Sequence, residues 1–489
     1  QASLTKESLY MGNKLTSTLR TLFDVREIQV PDTLNATLWK HQLHGFHWIY
    51  SRLRNKLNPV LADEMGLGKT VQTICALLAL READGVLDSD TRHPPSMIVC
   101  PASVVSNWIS ECNKFAPSLT VCEWGTPSSD ISGIDVIVTS YGMCQSRASK
   151  LHTMSVYMLC MDEAQKIKNS QTKTRKSLSM IKAEYKIALS GTPIENNIQD
   201  IWSIFDLLMP GYLGEKKLFT RHFSKRLDQL HQVLKPLVLR RCKTELEVNL
   251  PNKIITTIWT HLSPKQVALY QNIVSEAIAS LKSTTPIKRK GLIFRMITHL
   301  KQLCNHPTNY LPSLGTMRSG KTECLLELIS RVMQQPKTLI FTQFTTTAKT
   351  LLDILGRDKC CYLHGSMTQK QRAAEIQQFT TDASRPFFVI SIRAGGVGIN
   401  LTIAKRVIMY DLWWNPAVED QAIDRAHRIG QHSDVEVFRL VCPGTFEEKI
   451  NNLLETKRHV SSTCLEHLDT SLSVSEMSDD AIRDMFDWQ

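Results

Sequence analysis

Short apolar, β-branched runs separated by helix-patterned stretches recur twice along this chain, and that alternation limits its folds more than any other feature. The first series lies at 59–62, 97–100, 135–139, 156–161 and 186–189, the second at 337–342, 360–363, 387–391, 406–410 and 435–441. Strands this short and this apolar, each followed by a helical pattern, build parallel sheets covered by helices on both faces. The fold class is therefore α/β with two such units. The intervening segment 211–316 differs in character, with a long helical pattern at 263–282 and one strand-like run at 254–260, and it reads as a mainly helical insertion.

A chain of 489 residues has room for about three domains of ordinary size. The expected division is a lead-in segment 1–35, a first α/β unit 36–210, the helical segment 211–316, a second α/β unit 317–460, and an acidic tail 461–489. The second unit is expected to end in an amphipathic helix over 445–460, opened by Thr445 as its cap. With 42% apolar and 21% charged residues the composition is that of a globular protein, not a disordered or fibrous one. The longest apolar run, 74–80, falls far short of the ~20 residues of a membrane span. No membrane partner is expected. The start at Gln1 lacks the charged and apolar regions of a secretory signal and is expected to be an internal point of a longer chain. Thirteen cysteines without a C-x-x-C pair suggest free thiols in a reducing compartment and no structural zinc.

Two segments carry Gly-Lys-Thr. Gly315-x-x-x-x-Gly320-Lys321-Thr322 satisfies the strict phosphate-loop pattern, whereas Ala62-Asp63-Glu64-Met65-Gly66-Leu67-Gly68-Lys69-Thr70 lacks the first glycine. A phosphate loop, however, needs a strand to position it and a helix whose N-terminal N–H groups face the phosphates. Only the first candidate has both, a strand at 59–62 and a helix at 70–80, so the phosphate site is assigned to Lys69. The stretch 315–322 is expected to be a loop capping a helix over 323–333. An acidic partner should end a neighbouring strand, and Asp162-Glu163-Ala164-Gln165 follows the run 156–161. Asp162 would hold a Mg²⁺ ion opposite Thr70, and Glu163 would orient or deprotonate the attacking water. Taken alone, the same four residues also suit an acid-rich helix start.

Together with Leu189-Ser190-Gly191-Thr192-Pro193, Ala394-Gly395-Gly396-Val397-Gly398-Ile399-Asn400-Leu401 and Gln421-Ala422-Ile423-Asp424-Arg425-Ala426-His427-Arg428-Ile429-Gly430-Gln431, these blocks resemble the ordered motifs of Swi/Snf-type ATPases, the double-stranded-DNA translocases of helicase superfamily two. The resemblance runs from Leu38 to about Arg458 and includes Leu239-Arg240-Arg241 and Leu303-Cys304-Asn305-His306-Pro307. It implies two RecA-like lobes with ATP in the cleft between them. On that basis Gln42 matches the adenine-reading glutamine, Asp63 to Thr70 form the ATP loop, and Lys69 neutralises the β- and γ-phosphates. Arg425 and Arg428 match the arginine pair that reaches the γ-phosphate, and their three-residue spacing places both on one face of a helix. Gln165, Ser190 and Thr192 would couple hydrolysis to lobe movement. The family commonly has His where this chain has Gln165, which keeps hydrogen-bonding capacity and loses the titratable ring.

The resemblance also implies duplex contacts from Ser103, Asn107, Trp108, Thr139, Ser140, Thr342, Gln343, Arg393 and Asn400, mostly small polar groups suited to phosphates. Such contacts carry no sequence information. His41, His44 and His47 are expected to be structural, as are the adjacent Cys360 and Cys361. The leading function is an ATP-dependent translocase on double-stranded DNA that displaces or remodels DNA-bound proteins, with ATP and Mg²⁺ as cofactors. An RNA helicase of the same superfamily and a catalytically silent DNA-binding scaffold are the alternatives. Asp162 to Asn169 and Trp414 to Glu419 resemble bacterial members, which points to a DNA-associated protein of the bacterial cytoplasm, or of the nucleus in a eukaryote.

Charge adds a location. Of a net charge of +11, the segment 211–316 carries 17 basic residues against 5 acidic ones, so the surplus is concentrated there. Lys288, Arg289 and Lys290 form its densest basic run. If they meet phosphates, replacing all three with Gln should lower the slope of log Kd against log salt by about two to three, as measured by duplex binding over a salt series. An unchanged slope would remove the patch from the interface.

Overall fold

The computed structural model describes residues 24–86, 93–125, 131–151, 154–191, 198–224, 226–246, 251–281, 286–314, 317–330, 336–391, 399, 401–413, 416–428, 430–452 and 486. They form two compact units, Gln1–Val248 and Asn249–Gln489.

The first unit is built on strands β1 (Val60–Leu61), β2 (Ser96–Cys100), β3 (Val121–Glu123), β4 (Val136–Ser140), β5 (Ser155–Met161), β6 (Lys182–Leu189) and β7 (Val238–Leu239). They lie in the order β3-β4-β2-β5-β6-β1-β7, and the strand pairs are parallel. Every residue of β2 is buried, as both-face coverage by helices requires. The helix Lys69–Ala83 is buried along the whole of 71–81, which explains why its sequence shows an apolar run and no amphipathic stripe. β5, β6 and β1 are neighbours, with Met161 opposite Ala188 and Leu189 opposite Leu61, so three carboxyl ends stand side by side. Ligand sites in open parallel sheets form at such ends.

The second unit contains β8 (Lys253–Trp259), β9 (Thr338–Thr342), β10 (Cys360–Leu363), β11 (Phe387–Ser391), β12 (Arg406–Met409) and β13 (Val435–Val441), in the order β10-β11-β9-β12-β13-β8. Its strand pairs are parallel too. The two-unit α/β expectation holds, and both series of strands fall where the apolar runs predict them.

The segment 211–316 does not stand as a separate insertion. β7 extends the first sheet by pairing with β1, β8 pairs with β13 in the second, and the division between units falls at Val248 and Asn249. The helices Pro264–Leu281 and Pro286–Asn305 share a core with Phe446 and Ile450 of the second unit. Phe486, the described residue of the acidic stretch 461–489, is fully buried in that core, its ring 5.7 Å from Phe446. Of the helix expected over 445–460, the described part is 446–452, and the rest lies outside the described residues. β3 and β7 escape the sequence reading because they are short and only partly buried.

Lys321 of the strict phosphate-loop pattern is a core residue. Its helix runs from Gly320 to Ser330, so residues 320–322 of the expected capping loop 315–322 are helical, residues 315–316 and 331–333 lie outside the described residues, and the Lys321 side chain is wholly inaccessible. Its ammonium donates to Glu447 (2.9 Å) and to the Tyr410 carbonyl (3.2 Å). Burial pulls this ammonium's pKa down, but Glu447 and then the Cys442 and Cys304 thiols outweigh it, leaving the pKa above the usual lysine value. Close by, Asp411 accepts from Thr342 Oγ1 (2.6 Å), Asn305 Nδ2 (2.7 Å) and the Gln343 N–H (2.9 Å). Lys301 donates to the Leu412 carbonyl (3.0 Å) and to Gln343 Oε1 (3.3 Å), and burial brings its pKa down to about 8 despite Asp411 and Glu447. Together these groups tie helix Pro286–Asn305 to the carboxyl ends of β9 and β12.

Lys321→Met strands the buried Glu447 carboxylate, with an expected loss of about 3–5 kcal/mol in urea unfolding. Nucleotide affinity of the folded protein should be unchanged, whereas Lys69→Ala should abolish nucleotide binding at little cost in stability. Lys301 tests the sign of its own shift. The folded state releases the proton near 8 and the unfolded chain near 10.5, so unfolding stability should rise with pH across that window. The rise should be on the order of 2 kcal/mol, and Lys301→Met should lack it in urea titrations at about pH 8 and pH 10.

Candidate nucleotide site and flanking surfaces

At the end of β1 the chain turns twice through left-handed backbone, at Gly66 (φ 86°) and Gly68 (φ 78°), before the helix opens at Lys69. A Cβ at Gly68 would stand 2.4 Å from Gln42 Nε2, so a side chain there would displace that amide. Gln42 lies on the helix Lys40–Arg54, where its Oε1 accepts from the Trp39 N–H (3.1 Å) and its Nε2 donates to the Leu67 carbonyl (3.4 Å). Its amide is therefore engaged by the chain on both edges and held against the loop. His41 shares the Leu67 carbonyl at 3.1 Å, while His47 bonds the Ile28 carbonyl, so both are structural.

Lys69 points back into its own loop and donates to the Asp63 carbonyl (2.6 Å) and the Glu64 carbonyl (3.4 Å). Thr70 follows it in the first turn of the helix. Asp63 is buried with no exposure, and its carboxylate is paired with Arg241, from which Nε reaches Oδ1 at 2.9 Å. Gln72 links the same groups, accepting from Arg241 at 2.8 Å and donating to the Gly68 carbonyl at 3.2 Å. Sequence reasoning marks Arg241 only as a landmark, because 178 residues separate it from Asp63.

At the end of β5, Asp162 accepts from the Trp108 indole N–H (2.8 Å) and from the Glu163 N–H (2.9 Å), while Tyr141 donates its hydroxyl proton to the Asp162 carbonyl (2.7 Å). Burial, and then the adjacent Glu163, push the Asp162 carboxyl up to about 6, against the opposing pull of Trp108 and Lys69. Glu163 sits at φ 52°, a left-handed conformation that costs a non-glycine residue on the order of 1 kcal/mol. Its carboxylate accepts from Gln165 Nε2 (2.6 Å), and Gln165 Oε1 accepts from Ser190 Oγ (2.9 Å). Ser190 donates its N–H to the Leu61 carbonyl at the start of the loop (3.1 Å). Gly191 packs against Met65, where a Cβ would meet Met65 Cε at 3.0 Å. The structure thus brings Lys69, Asp162, Glu163, Gln165 and Ser190 together. Thr192 lies outside the described residues.

The donors offered here are hard oxygens in a half-buried carboxylate pair, Asp162 and Glu163, a setting that favours a divalent cation. Among the described residues no group of three or more His, Cys, Asp or Glu could hold a metal alone. The chemistry fits Mg²⁺, which takes one or two carboxylates and completes its shell with waters and substrate phosphates.

Several expected duplex contacts are corrected. Trp108 is 1% exposed and committed to Asp162. Thr139 is 1% exposed, its hydroxyl donating to the Trp124 carbonyl, and Thr342 is fully buried against Asp411. Their side chains are spent on positioning the strand ends. Ser140 caps the helix Tyr141–Ser146, Asn107 donates to Glu111 (3.1 Å), Ser103 is half-buried, and Gln343 donates to the Leu412 carbonyl. Lys288 to Lys290 fall on the helix Pro286–Asn305, with Arg289 half-buried and the other two side chains outside the described residues. Arg393 and Asn400 also lie outside them.

Arg425 and Arg428 are not on a helix, as their spacing suggests, because the helix Pro416–Ile423 ends before them. The chain is turned there by Gln431, whose amide donates to the carbonyls of Thr402 (2.9 Å), Ala404 (3.0 Å) and Ala426 (3.2 Å). The Arg425 carbonyl accepts from the Leu401 N–H (3.0 Å). Arg428 Nε is buried and has no hydrogen-bond acceptor among the described residues.

Residues 41–309 match the SNF2-related domain, and residues 320–430 the helicase conserved C-terminal domain. A Bacillus subtilis (strain 168) protein provisionally named ATP-dependent helicase/translocase YwqA is 37% identical over 98% of this chain and 54% of its own length. The human SWI/SNF-related matrix-associated actin-dependent regulator of chromatin subfamily A member 1 is 35% identical over 94% of this chain and 46% of its own length. The chain spans about half the length of such curated relatives. The solved Sulfolobus solfataricus SWI2/SNF2 ATPase core in complex with dsDNA is 35% identical, covers 95% of this chain and 100% of its own, and has a TM-score of 0.46. With the SNF2-related domain matching more than half of its residues, the chain belongs to the SNF2-related family, the Swi/Snf-type ATP-dependent helicase-like proteins.

Proposed function

We propose that this chain is the motor of an ATP-dependent translocase on double-stranded DNA, which uses hydrolysis to displace or remodel DNA-bound proteins. The observation that supports this reading best is the gathering of Lys69, Asp162, Glu163, Gln165 and Ser190 at the adjoining carboxyl ends of β1, β5 and β6. A cation, a carboxylate pair and a hydrogen-bonded outlet are what γ-phosphate hydrolysis requires of a protein.

In this mechanism Lys69 leaves the Asp63 and Glu64 carbonyls and turns to the β- and γ-phosphate oxygens, while the N–H groups at the start of helix Lys69–Ala83 face the same anion. Asp162 and Thr70 would hold the Mg²⁺ ion, which supplies neutralising charge to the phosphate oxygens. Glu163 takes a proton from the water whose oxygen attacks the γ-phosphorus. The bond from that phosphorus to the β–γ bridging oxygen breaks, and ADP carries away the bonding pair. Arg425 and Arg428 supply positive charge to the transferring phosphoryl group. Protonating Glu163 removes the charge that strengthens its bond with Gln165, so the chemical step is passed to Ser190.

Duplex binding is supported by the family membership and by the basic excess of 211–316. The contacts left to the strand-end loops are then Ser103, Asn107, Ser140 and Gln343, with backbone groups beside them, a set suited to phosphate and not to bases.

The test is ATP turnover with duplex DNA, single-stranded DNA or RNA, run beside displacement of a triplex-forming strand. Duplex DNA should stimulate turnover and drive displacement. Glu163→Gln should lower turnover by at least about a hundredfold and Arg425→Ala by roughly a thousandfold, each retaining duplex binding. Stimulation by RNA and not by duplex DNA would replace the reading with an RNA helicase, and duplex binding without turnover would leave a scaffold.

A further inference from the structure

The phosphate loop is gripped from a stretch far downstream that leads to the end of the first unit. Arg241 pairs with the Asp63 carboxylate and also donates to the His41 carbonyl and to Gln72 Oε1. The Lys243 N–H donates to Glu64 Oε2 at 2.7 Å, and its ammonium stands 3.7 Å from Oε1 of the same carboxylate. The backbones run together as well, with Ala62 N–H on the Leu239 carbonyl (2.7 Å) and Glu64 N–H on the Arg241 carbonyl (3.0 Å). Residues 239–243 thus continue from β7 as a strap along residues 62–64, and the unit ends soon after, at Val248.

There is little slack in this contact. Asp63 has no exposure, so its ion pair cannot loosen into water. Gly45 provides the space for it, since a Cβ there would stand 1.8 Å from Gln72 Oε1 and 2.6 Å from Arg241 Nη2. The carbonyls that hold Lys69 belong to Asp63 and Glu64, the same two residues that the strap holds.

We propose that residues 239–243 are a coupling strap, with Arg241 and Lys243 as positioning residues that transmit occupancy of the phosphate loop to the end of the first unit. Transfer of the Lys69 ammonium to a phosphate removes a donor from both carbonyls, and the two residues relax against a strap already fixed to them. The inference rests on the reading of 62–70 as the nucleotide site and adds the route by which that site reports its state.

The experiment is hydrogen exchange of the full chain, without DNA, with and without a non-hydrolysable ATP analogue whose binding is followed separately by fluorescence. In the wild type, saturating analogue should change exchange across 238–246 by at least about fivefold. Arg241→Lys, which keeps the charge and loses the two-pronged grip, should still bind the analogue and lose that change. Lys243→Met, a milder lesion, should halve it and serves if Arg241→Lys does not fold. In duplex-driven assays Arg241→Lys should lower triplex displacement per ATP hydrolysed while the KM for ATP stays within about threefold. A role in stability alone would instead raise KM and leave the ratio unchanged. Bound analogue with unchanged exchange at 238–246, or a change that survives Arg241→Lys, overturns the strap and spares the nucleotide site. Failure of the analogue to bind removes both, and the binding arm reports that separately.

Discussion

The buried carboxylate of Asp63 sets the terms for the first unit. A carboxylate with no exposure must be paired, and leaving it single would cost about 3–5 kcal/mol, a large share of a domain's stability. Its partner, Arg241, comes from beyond β7 and through the rest of its guanidinium holds His41 and Gln72. One ion pair therefore closes the loop, the helix Lys40–Arg54 that carries Gln42, and the last strand of the sheet into a single arrangement. The left-handed turns at Gly66 and Gly68 can then be held open toward solvent at the strand ends, because their start is anchored beneath. Lys69 in turn is held by the Asp63 and Glu64 carbonyls of the loop so anchored.

The second unit uses the same device for a different end. Lys321 with Glu447, and Asp411 with Asn305 and Thr342, are buried polar groups that fix where helices meet strand ends. A Gly-Lys-Thr triplet specifies a helix start and a lysine, and burial decides whether that lysine stays at its loop, as Lys69 does, or pairs with a glutamate, as Lys321 does. Around Lys69 the loop lies at a strand end and the ammonium is partly exposed, whereas around Lys321 the chain packs on every side.

Much of this was legible in sequence for a definite reason. Strands buried on both faces are apolar runs, so β2, β5, β9 and β11 announce themselves, and the strand before Ala62 separates the loop at Lys69 from the buried Gly-Lys-Thr at Lys321. Local pattern fails where an element depends on a distant partner. β7 is two residues long and exists because β1 lies beside it. The segment 211–316 looked self-contained because its helices are long, yet each end of it is claimed by a different sheet. Trp108, Thr139 and Thr342 belong to the loops expected to meet DNA, and no spacing rule shows that their side chains turn inward to Asp162, the Trp124 carbonyl and Asp411. Arg425 and Arg428 have helical spacing, but Gln431 draws the chain off the helix first.

Gln165, the departure from the histidine common at its position, acquires a physical meaning from its neighbours. A neutral imidazole offers one donor and one acceptor on a rigid ring and becomes a double donor when it takes a proton. The Gln165 amide offers the same two functions, donating to Glu163 at 2.6 Å and accepting from Ser190 at 2.9 Å, with no protonation state of its own. The link is consequently sensitive to the charge of Glu163 and insensitive to bulk pH through Gln165 itself. Because Ser190 also donates to the Leu61 carbonyl, the far end of the link is the strand that launches the phosphate loop. Ser190, at the Leu61 carbonyl, and Lys69, at the Asp63 and Glu64 carbonyls, thus both bond the same short stretch of backbone, residues 61–64. Glu163 holds its bond with Gln165 from left-handed backbone, φ 52°.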